Sequence, residues 1–250
     1  MKSKKIFSLV SLTLVISMLL FSVSCTENID EIEYEVVSEN NVTEDGLVYS
    51  VYENNTIVIT GREADHNELT IPDEIDGKKV VEIGAKAFEK DEALILLTLG
   101  KNVEKISNSA FSECIYLARV QATASLKQIG QSSFYACERL AEVIGATKLE
   151  SIGIQAFYNC LSLAYFDFPE TLTKLEDDAF SGCESITEIV LPSKLKTIGI
   201  QTFSYCTSLT RVSMGNITSV PDKAFFNCPS LEPVTIAKNA TKIGTHVFRG

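Results

Sequence analysis

The chain has 250 residues, with 33 Asp and Glu against 22 Lys and Arg, two histidines and a formal net charge of −11. That balance argues against a nucleic-acid partner, because phosphate backbones are bound by clustered cations. Hydrophobic residues make up 45% of the chain, enough for a buried core, but the length sets no domain count if the core grows unit by unit.

Lys2, Lys4 and Lys5 precede an uncharged, mostly apolar run from Ile6 to Val23, closed by Ser24 and Cys25. A basic start, an apolar run and a small residue before the break predict an export signal over residues 1–24. At roughly 18 residues the run also nears the length at which a segment can stay in the membrane as an anchor. Removing residues 1–24 takes away three lysines and no acid, which moves the net charge from −11 to −14. The stretch "TENIDEIEYEVVSEN" that follows is acidic and without repeat, and it predicts a solvated linker over 25–45, with "YEVV" as an alternative short strand. "GLVYSVYENNTIVITGR" (46–62) alternates apolar and polar residues on both sides of Glu53-Asn54-Asn55, a hairpin pattern. Together with "ELTIPDEIDGKKVVEIG" (68–84) it supplies a cap, assigned to 46–80, for a solenoid that needs its first face covered.

Residues 81–250 repeat. Phenylalanine falls at Phe88, Phe111, Phe134, Phe157, Phe180, Phe203, Phe225 and Phe248, a step of 23 broken once by a step of 22. Five residues before each Phe stands an aliphatic residue, usually followed by Gly. Three residues after it stands Cys114, Cys137, Cys160, Cys183, Cys206 or Cys228, with Asp91 in the first copy. An L-x-x-aliphatic-x-apolar run, as in "LAYFDF" (163–168) and "ITEIVL" (186–191), completes each unit. A period in the twenties marks a solenoid whose units bury their apolar sides against one another. The L-x-x-I-x-L alternation predicts a short strand, and the three-residue spacing of Phe and Cys predicts a helical turn. Stacked in register, the rings form an aromatic ladder and the thiols fill the narrow part of the coil.

The order L-x-x-I-x-L-P then L-x-x-I-G-x-x-A-F-x-x-C, legible in "ITEIVLPSKLKTIGIQTFSYC" (186–206), resembles the BspA-type, or treponemal-type, leucine-rich repeat of bacterial surface proteins. The resemblance covers residues 69 to 250 and departs from the pattern at Asp91, at Leu175-Glu176 and Val220-Pro221, and at the short unit ending in Phe225. The expected architecture is an α/β solenoid: a right-handed leucine-rich repeat superhelix of 23-residue rungs, short parallel strands and a helical turn in each, behind a hairpin-like cap. The array ends within a rung, at "HVFRG", and is expected to continue in a longer protein.

Six cysteines in an exported chain would ordinarily suggest disulfides, but all six share one phase of the repeat. Parallel Cβ vectors on rungs about 4.7 to 5 Å apart disfavour the disulfide dihedral, so free, buried thiols are expected. No C-x-x-C and no Cys/His cluster suggests a metal, no motif suggests a cofactor, and His66 and His246 lie at opposite ends of the array. No catalytic constellation is visible, although Glu142, Asp167 and Glu188 on successive rungs could serve glycan cleavage. The sequons at Asn41, Asn54, Asn216 and Asn239 carry no weight in a bacterial protein, the source that the family resemblance implies.

What remains is a surface. Residues flanking the central aliphatic of each strand point outward and give two rows, Arg119, Glu142, Tyr165, Glu188, Arg211 and Gln121, Ile144, Asp167, Val190, Ser213. The family resemblance implies that this concave sheet binds host matrix or bacterial surface proteins. Ser24-Cys25 resembles a lipoprotein cleavage site, which implies acylation of Cys25, a lipid anchor in the membrane and a location at the bacterial cell surface or outer membrane. An envelope scaffold without a specific ligand is the alternative reading, and a glycan-acting enzyme is a third.

Overall fold

Seventeen short strands and no helix run through residues 34–236 and 240–250, the part of the chain described by the computed structural model. The export-signal segment and Cys25 lie outside the described residues, and no helix among the described residues is long and apolar enough to cross a membrane.

The period-2 segment folds as a hairpin: β2 (Leu47–Tyr52) pairs antiparallel with β3 (Thr56–Arg62) across the Glu53–Asn55 turn. Ahead of them, β1 (Val36–Val42) pairs antiparallel with β2. Seven residues of the stretch expected to be a linker are therefore a strand. Most of its side chains are exposed, so it is held by backbone pairing rather than burial and shows no apolar alternation to announce it. Two register shifts and a left-handed Asn40 break its outer edge, which keeps that edge from templating further strands. On the other side β3 pairs in parallel with β6 (Lys78–Ile83), against which β5 (Glu74–Ile75) folds back antiparallel. The hairpin is thus continuous with the first ladder of the solenoid, β6, Lys105–Ile106, Gln128–Ile129, Ser151–Ile152 and Lys174–Leu175, all parallel.

A second ladder carries the L-x-x-I-x-L strands. It starts at β4 (Glu68–Thr70) and continues through Leu96–Thr98, Arg119–Gln121 and Glu142–Ile144 in parallel register. Glu188–Val190 and Arg211–Ser213 form a separate pair. Between them Tyr165–Phe168 is not a strand. Its inward positions hold Phe166 and Phe168, where the preceding rung has Val143 and Gly145 and the following rung Ile189 and Leu191. The two rings wedge against each other and against Phe157 and Phe180 at centroid distances of 4.9 to 5.3 Å. That bulk lifts the segment out of the ladder.

The expected helical turn is absent. Around Phe111, the amides of Ser109, Phe111 and Glu113 donate to Gln131, Ser133 and Tyr135 one rung on, at 2.7 to 2.8 Å. Those of Ala110, Ser112 and Cys114 donate three residues back within the rung, at 3.1 to 3.2 Å. This alternation requires a left-handed residue at two points of each turn, here Ser109 (φ 57°) and Glu113 (φ 60°), and in later rungs Gln155 and Asn159, or Gln201 and Tyr205. A right-handed helix cannot contain such residues, which cost about 1–2 kcal/mol each. The rungs are consequently all-β coils with a turn ladder rather than α/β units. The one-residue contraction falls outside both ladders: Val190 pairs with Ser213, 23 residues on, while Thr197 pairs with Ser219, 22 on. The Gly after the aliphatic residue answers a close approach, since a Cβ on Gly199 would lie 2.2 Å from the amide nitrogen of Asp177.

Seven phenylalanines from Phe88 to Phe225 stack ring on ring inside the coil and the partly exposed Phe248 continues the stack, at 4.9 to 5.7 Å between centroids. The six cysteines of the repeat are free and buried, and they do more than fill space. Each thiol donates to the carbonyl of the Phe in the preceding rung, at 2.9 to 3.4 Å, from Cys114 on Phe88 to Cys228 on Phe203. The first copy has no Phe behind it. There Asp91 accepts the amides of Ala93 and Leu94 and pairs with Arg62 of β3 at 2.7 Å, both side chains being at least nine-tenths buried. Burial holds the thiols of Cys160, Cys183 and Cys206 well above the usual range, and that of Cys228 is pushed up to about 11.

Two outcomes follow from this core. Phe157 is fully buried with rings on both sides, so Phe157→Ala is expected to lower the unfolding free energy by about 3–5 kcal/mol in urea titrations. For the thiols, folding raises the pKa above the ordinary 9.0, so their contribution is intact below about pH 9. It is lost as pH rises through that value, because the unfolded chain then releases protons that the native state retains. Cys183→Ala should therefore gain on the parent by up to about 1.4 kcal/mol per pH unit above pH 9.

Candidate interaction face

Parallel register turns each outward position of the strand ladder into a column of neighbours. Arg119 stands beside Glu142 and Gln121 beside Ile144, while Glu188 stands beside Arg211 and Val190 beside Ser213. The charged columns use that proximity. Arg119 Nε pairs with Glu142 Oε1, and Arg211 Nη2 donates to Glu188 Oε2 at 2.9 Å. Both pairs are exposed, and such pairs contribute roughly 0–1 kcal/mol. Their effect is on charge distribution, since neither arginine is left uncommitted. Gln121 turns its amide onto the carbonyl of Ala122 at 3.1 Å.

Tyr165 stands in the row between the two ion pairs and is 63% exposed, while Ile144 at 39% and Val190 at 58% stand in the Asp167 row, on the rungs before and after. Asp167 is exposed and makes no hydrogen bond or ion pair among the described residues. All eight residues expected on the face do lie on the strand ladder or on the displaced rung within it, and the backbone at Tyr165–Phe168 joins neither sheet. Of the three carboxylates considered for glycan chemistry, Glu142 and Glu188 are each held by an arginine. His66 is in the cap, its carbonyl accepting from Arg62, and His246 is a left-handed residue of the last turn. Among the described residues no three His, Cys, Asp or Glu side chains converge on a metal site.

Reading the strands singly missed the ion pairs and the break in the sheet. Both have a signal in the columns: opposite charges one period apart at 119 and 142 and at 188 and 211, and two phenylalanines in columns that are otherwise aliphatic or small. The turn side carries further aromatics. Tyr135 stacks on Tyr158 at 5.2 Å, and the Arg139 guanidinium lies 4.8 Å above the ring of Tyr116.

The sequence pattern of the BspA type leucine-rich repeat region matches residues 65–184 and 137–250, with six copies. The chain belongs to the BspA-type leucine-rich repeat family. No curated protein matches it. Among solved structures, the leucine-rich repeat protein TpLRR of T. pallidum is 26% identical with a TM-score of 0.62, over 83% of this chain and 87% of that one. A leucine-rich cell surface protein of Faecalibacterium prausnitzii is 24% identical with a TM-score of 0.57, over 82% of this chain but 51% of its own. A leucine-rich repeat protein of Bacteroides ovatus is 21% identical with a TM-score of 0.50, over 84% and 80%. At the last two identities the likeness is one of fold. As a BspA-type array, the chain presents the kind of extended sheet surface on which repeat proteins make protein contacts or act as scaffolds.

Proposed function

We propose that this chain is an exported, surface-anchored protein that binds other proteins through its strand face. The observation that carries the reading is the exposure of Tyr165, Ile144 and Val190 on adjoining rungs of that face. Large apolar side chains left exposed among charges on one face are a mark of a contact surface, and Tyr and Arg are the side chains that most often dominate interface energy. The binding set is Arg119, Gln121, Glu142, Tyr165, Asp167, Glu188, Arg211 and Ser213. Bacterial surface proteins or host matrix proteins are the partner classes, in keeping with a solved structure of the same fold that is described as a leucine-rich cell surface protein.

The anchor is Cys25, acylated after removal of residues 1–24, with residues up to 45 joining it to a cap over 46–80 and the repeats from 81 onward. Cys25 is the one cysteine out of phase with the repeat, which separates its role from the packing of the other six. This arrangement holds the array at the cell surface with the strand face free to meet a partner, and it requires no catalysis.

Both halves are testable. Replacing Tyr165 and Arg211 together by Ala should leave Tm within about 2–4 °C of the parent, because both side chains are exposed. The same variant should bind immobilised matrix proteins at least about 30-fold more weakly, the loss of one strong hot spot. Undiminished binding would move the contact surface to the turns or the cap. In cells, Cys25→Ser should shift the protein from the detergent-soluble membrane fraction to the soluble fraction, whereas unchanged membrane association would favour retention of the Ile6–Val23 run as the anchor.

A further inference from the structure

The order of charges along the strand face is symmetric: Arg119, Glu142, Tyr165, Glu188, Arg211. Each arginine is bound by the glutamate on its Tyr165 side, so both ion pairs turn their negative ends toward the ring. Asp167 adds an unpaired carboxylate on the same rung, and the two guanidinium groups of the face are already engaged at its outer ends. An exposed aromatic side chain therefore lies among three carboxylates, with the apolar Ile144 and Val190 in the Asp167 row on the rungs before and after.

We infer that the centre of this face receives a cationic side chain, arginine in preference to lysine, carried on an extended segment of a partner protein. The inference rests on the strand face being the binding surface. A guanidinium stacks on a tyrosine ring and pairs in a planar fork with a carboxylate, and Tyr165 and Asp167, both exposed and two residues apart on one rung, supply one group of each kind. The aliphatic stem of the same side chain covers Ile144 or Val190. The overall charge of −14 after removal of residues 1–24 steers such a partner toward the protein. A second copy is the poorer occupant. Laid face to face and antiparallel about Tyr165, two chains would set Arg119 against Arg211 and Glu142 against Glu188, like charge on like.

The test is to select peptides from a random displayed library on the full chain, sequence the enriched pool, and measure the affinity of the best binders for four variants. The expected pool is rich in arginine, and its members lose at least tenfold in affinity for Tyr165→Ala and for Asp167→Asn. They keep their affinity for Tyr165→Phe, which retains the ring, and for Glu138→Gln, which removes an exposed acid on the turn side. Binders without basic residues that still depend on Tyr165 would overturn the inference and leave the strand face as the binding surface. Arginine-rich binders that lose affinity equally for Glu138→Gln would overturn it as unspecific attraction to an acidic protein. Binders indifferent to Tyr165 and Asp167 would overturn both the inference and the choice of face, and failure to enrich any peptide would count against the inference alone.

Discussion

A 23-residue coil cannot satisfy its own backbone. In the turn around Phe111 every second amide finds its acceptor in the next rung, and the strand segments do the same through parallel pairing. Buried amides left without partners are costly, so a rung is stable only with a neighbour, and the neighbour only in register. Period, ladder and cap are three expressions of that one requirement. The period holds at 23 because the same backbone atoms must meet in each rung, and the one contraction is tolerated because it falls between the two ladders. The cap exists because the first rung has no predecessor.

The interior follows from the same stacking. With rungs held one strand spacing apart, identical side chains meet themselves, and a flat ring is a good shape for that repetition. Cysteine supplies what an aliphatic residue of similar size would not, a donor for the Phe carbonyl one rung back. Asp91 shows the rule by its exception. Where no preceding Phe carbonyl exists, a thiol would have nothing to meet, and a carboxylate bound by Arg62 and two amides takes its place.

The aromatic and thiol ladders were legible in the sequence because each is written in residue type at fixed phase. The turn was not. A spacing of three between Phe and Cys fits a helix and a pair of linked tight turns equally well, and the left-handed positions that decide between them are filled by Ser, Glu, Gln and Ala as readily as by Asn or Gly. β1 (Val36–Val42) was met in the sequence only as the alternative strand "YEVV", which overlaps its start, because an edge strand with both faces largely in solvent needs no apolar alternation. On the strand face, the outward direction of Tyr165 and its neighbours came from the period of two. The pairing of Arg119 with Glu142 depends instead on which rung lies beside which, information held in the 23-residue columns and not in any one strand.

The thiol-to-carbonyl bonds also give the array a direction. Every one runs from a rung to the rung before it, so the stack has a chemical direction, and on its N-terminal side the series is closed by an ion pair. Inserting a whole unit anywhere in the interior leaves each sulfur with its oxygen and each ring with its neighbour, while inserting a fraction of one leaves neither. In genetic terms, tandem duplication of one unit in the middle of the array is close to silent for folding, and the same event across the Arg62–Asp91 junction is not. Array length is therefore free to change at little folding cost as long as the Arg62–Asp91 closure is kept.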